Sequence, residues 1–214
     1  MRNPVHQALR DGTAEAHDRV DAAFADFDLT DRDSYARFLA AHADVVWPLE
    51  AALPGERVVE DWESRKRGAL LREDLAFLRD TTQNRYPAPN RHPDESRDLR
   101  QGSEEGAARD PGFRRDDEMG DAWSEARIAG TLYVLEGSRL GGKFLSRRLP
   151  AGFPRAYLDT DQRAEKWQQL LMVIDRLLRD PIALDKALAA ALATFAAFER
   201  SADNWRKVGI GDGH

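Results

Sequence analysis

The stretch that decides the fold is IAGTLYVLEGSRLGGKFLSRRL, residues 128–149. Its apolar residues recur at spacings of three and four, which is the period of an amphipathic helix. Gly137, Gly141 and Gly142 nevertheless lie inside this pattern, and a glycine within a helix costs roughly 1 kcal/mol relative to alanine. Helix stability therefore does not explain them. Without side chains on one face, the backbone can approach a flat object or another helix closely.

The same period runs through most of the chain, and no segment alternates apolar and polar residues as a strand does. We predict helices at about 3–26, 33–52, 61–81, 121–148, 160–179 and 182–206. Short connections between them favour antiparallel neighbours. The sequence thus predicts an all-α fold, a single-domain helical bundle over residues 1–214 without internal repeats.

The composition excludes several classes of protein. The chain has 214 residues, no cysteine and a formal net charge of −6, so disulfides, thiolate metal sites and cysteine nucleophiles are excluded. The acidic balance argues against a nucleic-acid partner. Uninterrupted apolar runs are far shorter than the ~20 residues of a membrane span, and the first residues lack the apolar core of a signal peptide. We therefore expect a cytoplasmic protein that does not bind membranes.

One segment, residues 84–121, does not fit the helical pattern. It carries seven arginines and ten acidic residues, and its large apolar side chains are only Tyr86, Leu99, Phe113 and Met119. Such a segment buries too little apolar surface to offset its ordering entropy. We predict a polar surface insertion, which is either a tolerated loop or a surface that docks a partner.

Two of the five histidines lie on the apolar face of a predicted helix. His17 shares its face with Arg10, Thr13, Val20 and Phe24. This column of a base, a small residue and two hydrophobes suits a flat apolar ligand with an anionic rim, although an ordinary core or surface histidine fits as well. The column of His42 contains Tyr35, Phe38, Leu39, Val46 and Leu49, which favours a buried histidine with a hydrogen-bonded ring.

The glycine motif also allows more than one interpretation. Close helix–helix packing, or a helix that ends at Gly141 and Gly142, would explain the same residues. A phosphate-binding loop is the weaker alternative, because no strand precedes the motif and Gly142-Lys143-Phe144 lacks the hydroxyl that would hold magnesium.

Two separated motifs resemble those of bacterial haem oxygenases. LRDGTAEAH at 9–17 resembles the first-helix motif of that family, and YVLEGSRLGG at 133–142 resembles its distal-helix motif. The pieces YARFL at 35–39, PLE at 48–50 and LREDL at 71–75 agree with it too. The resemblance covers most of the chain apart from 84–121 and the last few residues, and it is strongest to the bacteriophytochrome-associated branch.

This resemblance implies a haem-oxygenase-like fold and the oxidative cleavage of haem to biliverdin, ferrous iron and carbon monoxide. Haem is then both cofactor and substrate, and dioxygen and electrons from an external ferredoxin or reductase are required. By position, His17 is the axial ligand of the haem iron. Gly137, Ser138, Gly141 and Gly142 belong to the distal helix that crosses the other haem face. A bacteriophytochrome is the implied recipient of biliverdin.

The resemblance also implies partners for the haem propionates, because burying an anion unpaired is costly. Arg10 occupies a position where bacterial members often place a base, and Thr13 belongs to the same first-helix motif. Tyr133 matches the tyrosine that opens the distal motif. Ser138 stands where animal members carry an aspartate, and Arg139 stands where bacterial members often carry asparagine.

The sequence leaves three other functions open as alternatives. A protein of the same fold could bind haem or another tetrapyrrole without degrading it, although such a protein would be expected to lose a distal glycine. A helical interaction module could dock a partner through 84–121. A thiaminase-like helical enzyme shares the architecture, but its sites usually depend on cysteine or on clustered acids.

Overall fold

A computed structural model describes residues 4–85, 123–159 and 164–208 of the chain. Over these residues the protein forms α-helices and no β-strand, which confirms the all-α prediction. The helices are α1 (Pro4–Ala25), α2 (Arg32–Ala52), α3 (Gly68–Arg85), α4 (Glu125–Ser146), α5 (Ala164–Leu177) and α6 (Pro181–Val208). Apart from its first two residues, which end α3, the predicted insertion at 84–121 lies outside the described residues.

Local signals placed most helix ends correctly. The predicted helices at 3–26, 33–52 and 182–206 agree with α1, α2 and α6 to within two residues. Asp31 caps α2 by accepting a hydrogen bond from the Ser34 backbone N–H at 2.8 Å. Ser124 caps α4 in the same way through the Arg127 backbone N–H. These caps satisfy backbone donors that have no partner within the helix.

The predicted start of the third helix at residue 61 was wrong. Residues Gly55–Arg57 and Trp62–Arg65 form two short 3₁₀ turns, and α3 begins only at Gly68. The Glu50 carboxylate on α2 accepts hydrogen bonds from the backbone N–H groups of Arg67 at 2.6 Å and Gly68 at 2.8 Å. A side chain 17 residues away thus caps α3, and this contact leaves no local pattern in the sequence.

Helix α6 is the centre of the bundle, since α4, α1 and α2 all pack against it. The closest approach is at Gly130 of α4, where an added Cβ would lie 2.0 Å from the carbonyl oxygen of Ala187. At Gly12 of α1, a Cβ would lie 2.8 Å from the Leu188 side chain. Two glycines therefore let α4 and α1 pack against the same central helix.

Helix α6 also has the length and apolar composition of a membrane-spanning helix, and within the described ranges it alone does. Counting uninterrupted apolar runs did not identify this helix. Its short apolar runs have few charges between them, so the mean hydropathy over 18 residues is high. Packing against three other helices explains part of this composition, but only 28% of the apolar window is buried.

The segment between α4 and α5 is hydrogen-bonded to two helices. The Asp74 carboxylate on α3 accepts hydrogen bonds from the backbone N–H groups of Ala156 and Tyr157, at 3.1 and 2.9 Å. The Tyr35 hydroxyl on α2 donates to the Pro154 carbonyl at 2.9 Å. The segment also lies against the glycine motif, since a Cβ on Gly142 of α4 would lie 2.8 Å from the Leu158 carbonyl oxygen.

Candidate functional site

His17 lies on the surface of α1 and is not a core residue. Its side chain is 59% exposed, and its Nδ1 lies 3.2 Å from Asp21 Oδ2, one turn further along the helix. The ring centroid is 5.9 Å from that of Phe195 on α6. The carboxylate orients the imidazole through Nδ1, which leaves Nε2 for a further ligand. This arrangement is common for histidines that bind metal ions.

The other predicted haem-binding residues lie together where α1 meets α4. Thr13 is buried and donates from Oγ to the Leu9 carbonyl at 2.8 Å, and its hydroxyl lies near that of Tyr133. Burial raises the pKa of Tyr133, while the positive charge of Arg10 acts in the opposite direction. Arg10 itself is exposed. Arg10, Thr13 and Tyr133 thus form one group, with the cation at its solvent-facing side.

Two aromatic residues that the sequence analysis missed complete this group. The His6 ring lies 6.0 Å from Tyr133 and 6.1 Å from Trp167, and the latter two rings are 5.6 Å apart. Burial and the nearby Arg10 lower the pKa of His6. His6 precedes His17 by three helical turns, so helical periodicity could have found it. No local pattern brings Trp167 of α5 to this position.

The distal motif divides into two sides of α4. A Cβ on Gly137 would lie 3.7 Å from the Trp167 ring, and a Cβ on Gly141 would have nothing within 4 Å. On Gly142, by contrast, it would lie 2.8 Å from the Leu158 carbonyl oxygen. Ser138 is exposed, and its Oγ accepts a hydrogen bond from Arg67 Nη2 and donates to the Leu135 carbonyl, each at 2.8 Å.

These positions separate the explanations for the glycines. Close packing accounts for Gly130 and Gly142, but it does not account for Gly141. The alternative that the helix ends at the glycine pair was wrong, since α4 continues to Ser146. Gly141 therefore stays without a structural reason among the residues that the structure describes.

The open side of α4 is apolar. Leu140 is 52% exposed and Phe144 is 67% exposed, and helical spacing puts both next to Gly137 and Gly141 on one face. Large apolar side chains beside bare backbone make a flat surface, and an exposed apolar patch of this kind is typical of a ligand or partner site. The face can accept a flat apolar molecule against the helix backbone.

His42 is a partly buried histidine whose ring is hydrogen-bonded, as predicted. Its Nδ1 lies 2.8 Å from the Phe38 carbonyl oxygen, to which the protonated Nδ1 donates. Four aromatic rings surround it, with centroids between 4.5 and 5.7 Å away: Phe24, Phe38, Tyr157 and Phe198. Burial lowers the pKa of His42 to about 4, and the positive charge of Arg67 contributes in the same direction.

This shift predicts a loss of stability in acid. The unfolded chain takes up a proton at His42 below a pKa of about 6.5, whereas the folded protein does so only near 4. Stability should therefore fall between these pH values, by about 3 kcal/mol from this group. Urea unfolding at pH 7, 5.5 and 4 measures the free energy of unfolding. Between pH 7 and pH 4 this free energy should fall less in His42→Leu than in the wild type. Equal slopes for the two proteins would contradict the assignment.

Within the described ranges, no group of three or more histidine, aspartate or glutamate side chains could hold a metal ion.

The chain is similar to a known protein, although the similarity is distant. No family model matches the chain. Over 177 residues the chain is 29% identical to a protein named "Heme oxygenase" from Xanthomonas campestris pv. campestris (strain 8004), an alignment that covers 78% of this chain and 88% of that protein.

Proposed function

We propose that this protein is a haem oxygenase that cleaves haem to biliverdin, ferrous iron and carbon monoxide. The observation that carries the proposal is the presence of two open surfaces. These are the exposed His17 imidazole and the bare face of α4 at Gly141. One offers a nitrogen ligand, and the other offers backbone that a flat molecule can touch. The similarity to a protein named "Heme oxygenase" supports the same conclusion.

The residues on these two surfaces fit the chemistry of haem. The apolar macrocycle matches the exposed Leu140 and Phe144, and covering them would remove apolar surface from water. The anionic propionates match the exposed cation Arg10 and the hydroxyl of Tyr133 beside it. His17 Nε2 is the candidate axial ligand. A single imidazole is a suitable protein ligand for an iron already held by four porphyrin nitrogens.

Asp21 acts on the reaction through His17. Its carboxylate oxygen lies 3.2 Å from Nδ1, and a carboxylate there favours the tautomer protonated at Nδ1 and makes Nε2 a stronger donor to iron. Thr13 and Tyr133 place hydroxyl groups of α1 and α4 beside each other. These contacts would hold the haem iron at a defined height above α1.

Gly137 and Gly141 would let dioxygen on the iron lie against the α4 backbone. Haem, which is the substrate, supplies the iron at which dioxygen is reduced by electrons from a ferredoxin or reductase. The bare backbone would limit the directions in which bound dioxygen can bend, and so select the carbon that is oxidised. A bacteriophytochrome that takes up biliverdin is the proposed recipient.

A haem titration followed by reduction tests the proposal. Hemin added to the purified protein should give a Soret band of a histidine-ligated complex at one equivalent. Ascorbate or a ferredoxin system in air should then replace this band with the broad red absorption of biliverdin. A Soret band that survives reduction would favour the non-degrading haem-binding alternative. No complex at all would contradict both.

A further inference from the structure

The side of α4 that faces away from Gly137 and Gly141 packs against a layer of buried charges. Four charged residues there are each at most 7% exposed: Arg65, Arg67, Glu136 and Arg139. Glu136 and Arg139 belong to α4, and Arg65 and Arg67 come from the turn that precedes α3. We call these four residues the arginine layer.

The contacts of the arginine layer converge on one carboxylate. Glu136 Oε2 lies 3.2 Å from Arg65 Nη1, and Glu136 Oε1 lies 3.0 Å from Arg139 Nη2. Arg139 also donates to the Arg65 backbone carbonyl. Arg67 donates to the Leu135 carbonyl at 3.0 Å and to Ser138 Oγ at 2.8 Å. The layer therefore grips the turn of α4 that carries Gly137.

The charges in this layer do not balance. Three guanidinium groups are buried with one carboxylate. Asp61 and Lys166 lie on the solvent side, and the partly buried Glu50 accepts from the Arg67 backbone N–H. With these three included, four positive charges stand against three negative ones. Asp61 Oδ1 accepts from Arg65 Nε at 2.6 Å and Asp61 Oδ2 lies 3.6 Å from Lys166 Nζ, but Asp61 is 40% exposed. Water screens such a pair far more than it screens buried charges.

The excess positive charge destabilises the charged form of Arg139. Burial, and then the positive charges of Arg67 and Arg65, lower the pKa of Arg139, while Glu136 alone opposes them. Its Nε is buried and has no hydrogen-bond partner. A buried ion network that leaves such a group uncompensated is a poor source of stability. The excess charge therefore has a better explanation in what lies across the helix.

We propose that the arginine layer supplies a fixed positive charge to the open glycine face of α4 and so favours anionic ligands on the haem iron. This inference rests on the proposed function, and in it Arg139 touches no ligand and acts through its field. An α-helix is about 10 Å across. One unit charge at that distance and an effective dielectric constant of about 20 changes the pKa of a group by about one unit.

Two properties of the ferric haem complex report this field without turnover. One is the pH at which iron-bound water deprotonates, read from the visible spectrum, and the other is the dissociation constant for azide. For Arg139→Gln we expect that pH to rise by about 0.5 to 1 unit and azide to bind about three- to tenfold more weakly. Arg139→Lys keeps the charge and should stay near wild type. Arg179→Gln, an exposed change of the same charge, is the matched control and should stay near wild type too.

Variants that remove a negative charge from the arginine layer distinguish an electrostatic role of the layer from a mechanical one. Glu136→Gln breaks the same ion pair as Arg139→Gln but removes a negative charge, so it should lower the deprotonation pH and tighten azide binding. If Glu136→Gln does not fold, Asp61→Asn gives the same sign with a smaller effect. Shifts of the same sign for both charge types, or no shift in Arg139→Gln, would overturn the inference and leave the layer as a structural clamp.

The same experiment distinguishes the two levels of the proposal. If the wild-type protein forms no histidine-ligated hemin complex, the proposed function is wrong and the inference is wrong with it. If the wild-type complex forms and turns over, but Arg139→Gln leaves both readouts unchanged, the inference alone is wrong.

Discussion

His17→Ala is expected to abolish the histidine-ligated Soret spectrum and the production of biliverdin, while the fold stays intact. The side chain is 59% exposed, with Asp21 and the ring of Phe195 beside it, so its removal leaves no large cavity. Visible spectroscopy of the hemin complex and analysis of the bilin product measure the effect, and far-ultraviolet circular dichroism monitors the helices.

Two further measurements sharpen this prediction. Added imidazole should restore a nitrogen ligand at the vacated position and recover part of the spectrum. Asp21→Asn should keep His17 as ligand but weaken its donation, which lowers haem affinity by roughly 10- to 100-fold as for other partners of metal-bound histidines. A His17→Ala variant with an unchanged Soret band that still forms biliverdin would show that another residue binds the iron.

Two glycines of the same helix are expected to respond in opposite ways. In Gly141→Leu the new side chain meets open space, and helix propensity favours the change by up to about 1 kcal/mol. The protein should melt at the same temperature or higher. Haem should nevertheless bind poorly or in a displaced pose, and turnover should fall or give a different biliverdin isomer, because the side chain fills the face where dioxygen would lie.

Gly130→Ala is the matched comparison, because it changes packing and leaves the open face untouched. Its methyl group would lie 2.0 Å from the Ala187 carbonyl oxygen, a backbone atom of the central helix. Overpacking of this kind costs typically 1–3 kcal/mol or more, so the melting temperature should fall. Thermal melts of both variants measure the effect on packing, and turnover assays measure the effect on haem oxidation. Wild-type rates with an unchanged isomer in Gly141→Leu would contradict the assignment of the open face to haem.

The amino-acid sequence by itself determined the helices and most of their ends. Apolar spacing and capping residues such as Asp31 and Ser124 are local properties, and they act within one or two turns of the chain. The sequence also singled out the column of His17 and the glycine motif, since a helix that accepts glycine at Gly141 reveals a requirement other than its own stability.

Only the tertiary structure decided which glycines serve packing and which charged residues are buried. Gly130 and Gly142 meet the backbone of other segments, whereas Gly141 meets nothing, and their local sequence does not distinguish them. Arg65 and Arg139 have the pattern of solvated surface residues in the sequence. Arg65 pairs with Glu136 across 71 positions of the chain, and Arg139 donates to the Arg65 carbonyl across 74. Contacts between such distant residues depend on how the helices pack, because no local propensity specifies them.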